Sequence, residues 1–165
     1  MKKLLILLLL LSQIGLKAQE TETQIYEEGN ELKINGLLLL FGYPNISYEA
    51  ILNEDVSIGV GVYKRRNDLL FGDFLPKTIL NINTRYYFDN AYDGDNFFIE
   101  AALSNYKEHD NENFQILSAG VGFKNNLYQN KIFSETHIST GIVFQESKSY
   151  IMFPARAGLT LGVRF

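Results

Sequence analysis

Cysteine is absent from the 165-residue chain, so no disulfide can brace an exported domain and no cysteine can carry a lipid anchor. Tryptophan is absent as well, and proline occurs only three times, as in chains held mostly in hydrogen-bonded ladders. Positive charge is in deficit: 15 Lys and Arg stand against 19 Asp and Glu, a net charge of −4. That balance argues against a nucleic-acid binder, which needs a basic face. Beyond residue 18 there is no apolar run of the ~20 residues that a membrane-spanning helix requires. Mean hydropathy is close to zero. A membrane protein made of strands remains compatible with that value, because alternating strands average their two faces.

What is present begins with a secretory layout over residues 1–18. Lys2 and Lys3 form the charged start, Leu4 to Leu11 the apolar stretch, and Leu16-Lys17-Ala18 a cleavage site before Gln19. Residues 19–30 are acidic and aperiodic and read as a periplasmic lead-in. Residues 31–165 are expected to form one domain.

That domain divides into eight candidate strands at 31–40, 45–52, 56–64, 77–88, 96–107, 114–127, 132–144 and 155–165, separated by turn-forming clusters of Gly, Pro, Asn and Asp. The last strand is the clearest. One face reads Ala155, Ala157, Leu159, Leu161, Val163 and Phe165, and the other reads Arg156, Gly158, Thr160, Gly162 and Arg164. Charges and glycines on one face opposite an unbroken apolar face fit a transmembrane barrel, with lipid outside and a polar lumen. A soluble lipocalin-like binding barrel is the alternative. It would leave Gly59, Gly61, Gly120, Gly122, Gly158 and Gly162 facing water, where a strand glycine costs stability without return. The expected fold is therefore all-β, an eight-stranded antiparallel up-and-down transmembrane β-barrel. The second, fourth and sixth connections lie on the periplasmic side, and the third (65–76), fifth (108–113) and seventh (145–154) lie outside. Aromatic girdles are expected at both rims: Tyr86, Phe88, Phe97, Tyr128 and Phe165 below, and Phe41, Tyr43, Phe144, Tyr150 and Phe153 above.

Several pieces of this pattern resemble a family of small Gram-negative outer-membrane barrels of unknown function, OmpA/OmpX-like in strand number. They are Lys33-x-Asn35, Gly42-x-Pro44, Ile46-Ser47-Tyr48-Glu49, Asn53-Glu54-Asp55 and the glycine-alternating third strand. The terminal Leu161-Gly162-Val163-Arg164-Phe165 resembles the signal read by barrel-insertion machinery, with Phe165 as its aromatic end. The resemblance implies an outer-membrane location, and contact with outer-membrane lipid and the insertion machinery. It brings no catalytic residues.

Inward positions carry a charge pattern. Lys33, Glu49, Arg85, Glu100, Lys124, Glu135 and Arg164 lie near the periplasmic end, and their signs alternate round the barrel except at strand three. Strands are about 4.8 Å apart, so neighbouring charges at one level can pair. The expectation is a lumenal salt-bridge layer that fills the narrow interior.

Other candidates are weaker. His137-Ile138-Ser139, with Glu135 before it, resembles the His-x-Ser strand motif of outer-membrane lipid A deacylases. Thr140 stands where that motif has asparagine, however, and no acidic residue follows at the expected distance. Asp89, Asp93 and Asp95 around Gly94 are oxygen donors of the kind calcium uses, but they match no complete loop motif and read as a solvated turn, as does 108–113. In the third connection Arg65, Arg66, Leu69, Leu70, Phe71, Phe74 and Leu75 combine basic and apolar side chains beyond the membrane edge, the pattern of a contact surface. The sequence points to a monomer with no cofactor or metal and with a structural or loop-mediated binding role. The alternatives are a lipid-modifying hydrolase and a small-solute channel.

Overall fold

The computed structural model describes residues 29–66, 76–89, 91, 95–107, 113–145 and 148–165, with backbone alone for 145 and 148–155. Eight antiparallel strands follow one another round a closed barrel: β1 (Gly29–Asn35), β2 (Asn45–Ile51), β3 (Val56–Lys64), β4 (Thr78–Tyr87), β5 (Asn96–Lys107), β6 (Asn113–Tyr128), β7 (Ile132–Gln145) and β8 (Lys148–Arg164). β1 and β8 pair to shut the ring. Asn30 and Phe165 exchange both backbone hydrogen bonds at 3.0 Å, which puts the first and last described residues at one end of the barrel.

The period-two alternation decides which way each side chain points. In β5 every second residue from Asn96 to Tyr106 is buried and those between are exposed. The register lines up Tyr48, Val60, Ile82, Leu103, Leu117 and Ile142 as successive cross-strand partners on the outside. Each is at least 40 % exposed. Below that belt Tyr86, Phe88, Phe97 and Phe123 form a chain of ring contacts, with centroids 5.7, 6.2 and 6.4 Å apart. Leu161 and Val163 face out while Thr160 and Arg164 are buried, so the interior is not the apolar one of a lipocalin-like barrel.

Three expectations are corrected. The first strand stops at Asn35, and Gly36–Leu40 form a short helix, α1. Four successive leucines fit neither face of a strand, and the Asn35 side chain accepts from Leu38 N–H (3.1 Å), capping the turn. The exit is a Schellman arrangement: Tyr43 N–H donates to Leu38 O and Gly42 N–H to Leu39 O, with Gly42 at φ +75°. Gly42→Ala is therefore expected to cost about 1–2 kcal/mol, the left-handed penalty for a residue with a Cβ, read as a lower urea midpoint.

The second correction concerns β8, which begins at Lys148 rather than 155, so the seventh connection shrinks to 146–147. Between the pairs Ser139↔Arg156 and Gly141↔Met152 the register shifts. Pro154, which has no N–H to give, sits in that irregularity, where a ladder tolerates proline. Third, Tyr43 belongs to the interior rather than to the upper girdle. It is 2 % exposed, stacks near Tyr63 (6.3 Å) and donates its hydroxyl to Pro76 O (2.9 Å). Burial, aided by Tyr106 and Tyr63, raises the pKa of that hydroxyl above its ordinary value. Of the other upper-rim aromatics Phe144 is exposed, and the side chains of Tyr150 and Phe153 lie outside the described residues.

Two apolar groups bracket the lumen. Tyr43, Tyr63, Ile79, Tyr106, Phe114, Ile116 and Val143 pack at the end opposite the termini. Ile51, Tyr87, Ala91 and Phe98 pack towards the terminal end.

Candidate functional site

Between those groups lies a cluster of charged side chains that alternation forces inward from seven of the eight strands. Lys33 Nζ meets three carboxylates: Glu135 at 2.6 Å, Glu49 at 2.7 Å and Glu31 at 3.0 Å. Arg85 reaches Glu49 and Glu100 at 2.9 Å and Glu135 at 3.0 Å. Lys124 Nζ lies 3.0 Å from Glu31 and 3.6 Å from Glu135. Arg164 approaches Glu31 at 2.6 Å, and Arg156 pairs with Glu100. Tyr87 donates its hydroxyl to Glu49 (2.6 Å) and accepts from Lys124 (3.1 Å), while Ser57 donates to Glu49 (2.6 Å).

Aromatic faces complete the surroundings of the cations. Phe133, 2 % exposed, has Lys124, Lys33 and Arg164 at 4.9, 5.3 and 5.9 Å from its ring centre, and Arg85 lies 4.3 Å over Phe98. Such contacts are stronger once desolvated. The rings fit because the facing strand positions are glycines. A Cβ at Gly162 would collide with Phe133, and one at Gly122 with Phe98.

All seven charges singled out from the sequence sit in this cluster. Two of its members, Glu31 and Arg156, are additional to them. The signal for both was present, since Glu31 shares a face with Lys33 at spacing two and Arg156 shares one with Arg164. Counting one charge per strand passed over them.

Glu31, Glu49 and Glu135 bring carboxylate oxygens within 4.8 Å of one another, a spacing that a metal ion can use. The ammonium of Lys33 already contacts all three, so the protein supplies the cation itself.

His137 and Ser139 do not assemble into a hydrolytic pair. Ser139 Oγ donates to the backbone carbonyl of Arg156 (3.4 Å), and His137 Nδ1 is buried without a partner. Asp89 and Asp95 are exposed, with Asp95 accepting from Asn126 N–H (2.8 Å). Asp93, Leu69, Leu70, Phe71, Phe74, Leu75 and 108–112 lie outside the described residues. Arg65 and Arg66 leave β3 with their backbones tied to Lys77 O (3.1 Å) and Gly42 O (3.0 Å).

No protein-family profile and no curated protein sequence matches the chain. Among solved structures, the crystal structure of the N-terminal β-barrel domain of Pseudomonas aeruginosa OprF is similar, with a TM-score of 0.57 and 16 % identity. The match covers 83 % of this chain and 97 % of that one. At that identity the likeness is one of fold. The all-β, eight-stranded antiparallel architecture read from the sequence is the one present.

Proposed function

We propose that the chain is an outer-membrane β-barrel with a lumen closed by its own side chains, and that its role is structural or interactive rather than catalytic. The observation that carries this reading is the inverted polarity. Four glutamates and their cationic partners are buried, while the outer belt through Val60, Ile82, Leu103 and Leu117 is apolar. In water that arrangement is unfavourable on both sides; in a bilayer each face meets a matching environment. Contact with other molecules then falls to the connections at the end away from the termini, including the Arg65–Arg66 segment. Phe165, exposed and zipped to Asn30, is the handle for barrel-insertion machinery.

Cell fractionation with heat-dependent gel mobility tests location and barrel closure together; recovery in the soluble fraction, or mobility indifferent to boiling, overturns the reading. Planar-bilayer recording tests the lumen, with absence of steady conductance expected. Ile82→Arg places a cation in the middle of the outer belt. A loss of about 2–4 kcal/mol is expected in bilayers if that belt faces lipid, whereas a solvated strand face changes stability by about 0.5 kcal/mol or less. Urea titration in liposomes distinguishes the two. For the hydrolase alternative, Ser139→Ala is expected to leave lipid A unaltered.

A further inference from the structure

On the side of the ion-pair cluster towards Tyr63 the lumen holds a cavity of about 20 Å³, room for one small occupant on the scale of a water molecule. Among the described residues three buried side-chain atoms lack a hydrogen-bond partner: Asn83 Nδ2, His137 Nδ1 and Arg156 Nε. They come from β4, β7 and β8, and all three residues line this cavity. The Asn83 residue and the Arg156 side chain are each only 8 % exposed. The Asn83 carbonyl oxygen already accepts from Asn81 (3.2 Å), which leaves its N–H group as the free end. Asn83 Nδ2 and Arg156 Nε can only donate, and unsatisfied buried donors on residues lining one cavity mark a site built for an acceptor.

Charge gives a second, independent argument. In the described part of the lumen four carboxylates (Glu31, Glu49, Glu100, Glu135) face five cations (Lys33, Arg85, Lys124, Arg156, Arg164). Of the three cations that line the cavity, Arg156 has the least compensation: Lys33 and Arg85 each meet three carboxylates, while Arg156 has Glu100 and shares it with Arg85. The carboxylates that line the same cavity each have another cation within 3.0 Å. A water in the cavity would satisfy donors and leave the surplus charge; a halide-sized anion answers both.

We propose that this cavity binds one small monovalent anion of chloride size. Arg156 supplies the charge, Asn83 Nδ2 donates, and His137 donates from Nδ1 in the tautomer that carries its proton there. Larger polyatomic anions do not fit a hole of this volume.

The test uses the full folded chain in detergent, at constant ionic strength. Chloride or bromide is expected to raise the unfolding temperature by several degrees over gluconate. Crystals grown in bromide are expected to show an anomalous peak between Asn83, His137 and Arg156. Asn83→Asp puts a resident carboxylate beside Arg156 and is expected to keep heat-dependent gel mobility while losing the halide response. The proposal is overturned if the cavity holds water with no anomalous signal. It also fails if gluconate and chloride stabilise the wild type equally, or if Asn83→Asp responds to halide as the wild type does.

Discussion

Glu135→Leu is expected to destabilise the barrel by about 3–5 kcal/mol, the usual result of stripping one partner from a buried ion pair. Glu135 is fully buried and answers three cations, with Lys33 at 2.6 Å, Arg85 at 3.0 Å and Lys124 at 3.6 Å. Leucine returns none of that compensation. Because tryptophan is absent, the measurement is urea unfolding followed by circular dichroism or by the boiling-sensitive gel shift. Adding Lys33→Met in the same chain is expected to recover part of the loss, since it lowers by one the excess of positive charge that Glu135→Leu leaves in the lumen.

The same geometry settles which charge swaps are tolerated. Glu100→Lys repels Arg85 and Arg156 together. Turning Arg85 into glutamate does not repair it, because the new carboxylate faces Glu49 and Glu135. Arg156→Glu is the better compensation: Glu100 is the one acid paired with Arg156 among the described residues. A pairwise picture of neighbouring strands gives the opposite ranking.

Gly122→Ala is the second large effect, expected to cost about 1–3 kcal/mol as overpacking. Its Cβ would run into the rim of Phe98 and stand 2.7 Å from Thr136 O. Phe98 cannot withdraw, being fully buried with Tyr87 5.5 Å away on one side and Arg85 4.3 Å over its ring. Gly36→Ala is the control: the nearest atom to its Cβ is 3.6 Å away, and stability is expected to change by about 0.5 kcal/mol or less. Parallel urea titrations of the two variants read the contrast.

These cases show where sequence is informative and where it stops. The bounds of β3 and β5 follow from alternation alone, because a period of two leaves little freedom over nine or more residues. Facing was legible for every charge in the cluster. Partnership was not: Arg85 of β4 reaches Glu135 of β7, and Lys124 of β6 reaches Glu31 of β1. Those contacts run across a lumen narrow enough for long side chains to span, and their pairing depends on strand tilt, which periodicity does not encode. The glycines look equivalent in the sequence, yet their surroundings differ: a ring lies against Gly122, Gly158 and Gly162, whereas the nearest atom to a Cβ at Gly36 is 3.6 Å away. Leu37 to Leu40 misled as strand because the residues that cap the helical turn, Asn35 and Gly42, also serve as strand-end and turn formers.

The closure between Asn30 and Phe165 has a bearing on biogenesis. Glu31 of the first strand draws Arg164 from the last, and Lys33 draws Glu135 from the one before it. The charges of β1 thus take counterparts from both ends of the chain: Lys33 is held by Glu31 and by Glu49 of β2, and β8 adds Arg164 to Glu31 last. A product truncated ahead of β8 keeps an open strand edge and lacks Arg156 and Arg164, so that in the described lumen four carboxylates face three cations. The last strand closes that edge and, in the same event, turns a shortfall of one cation into a surplus of one.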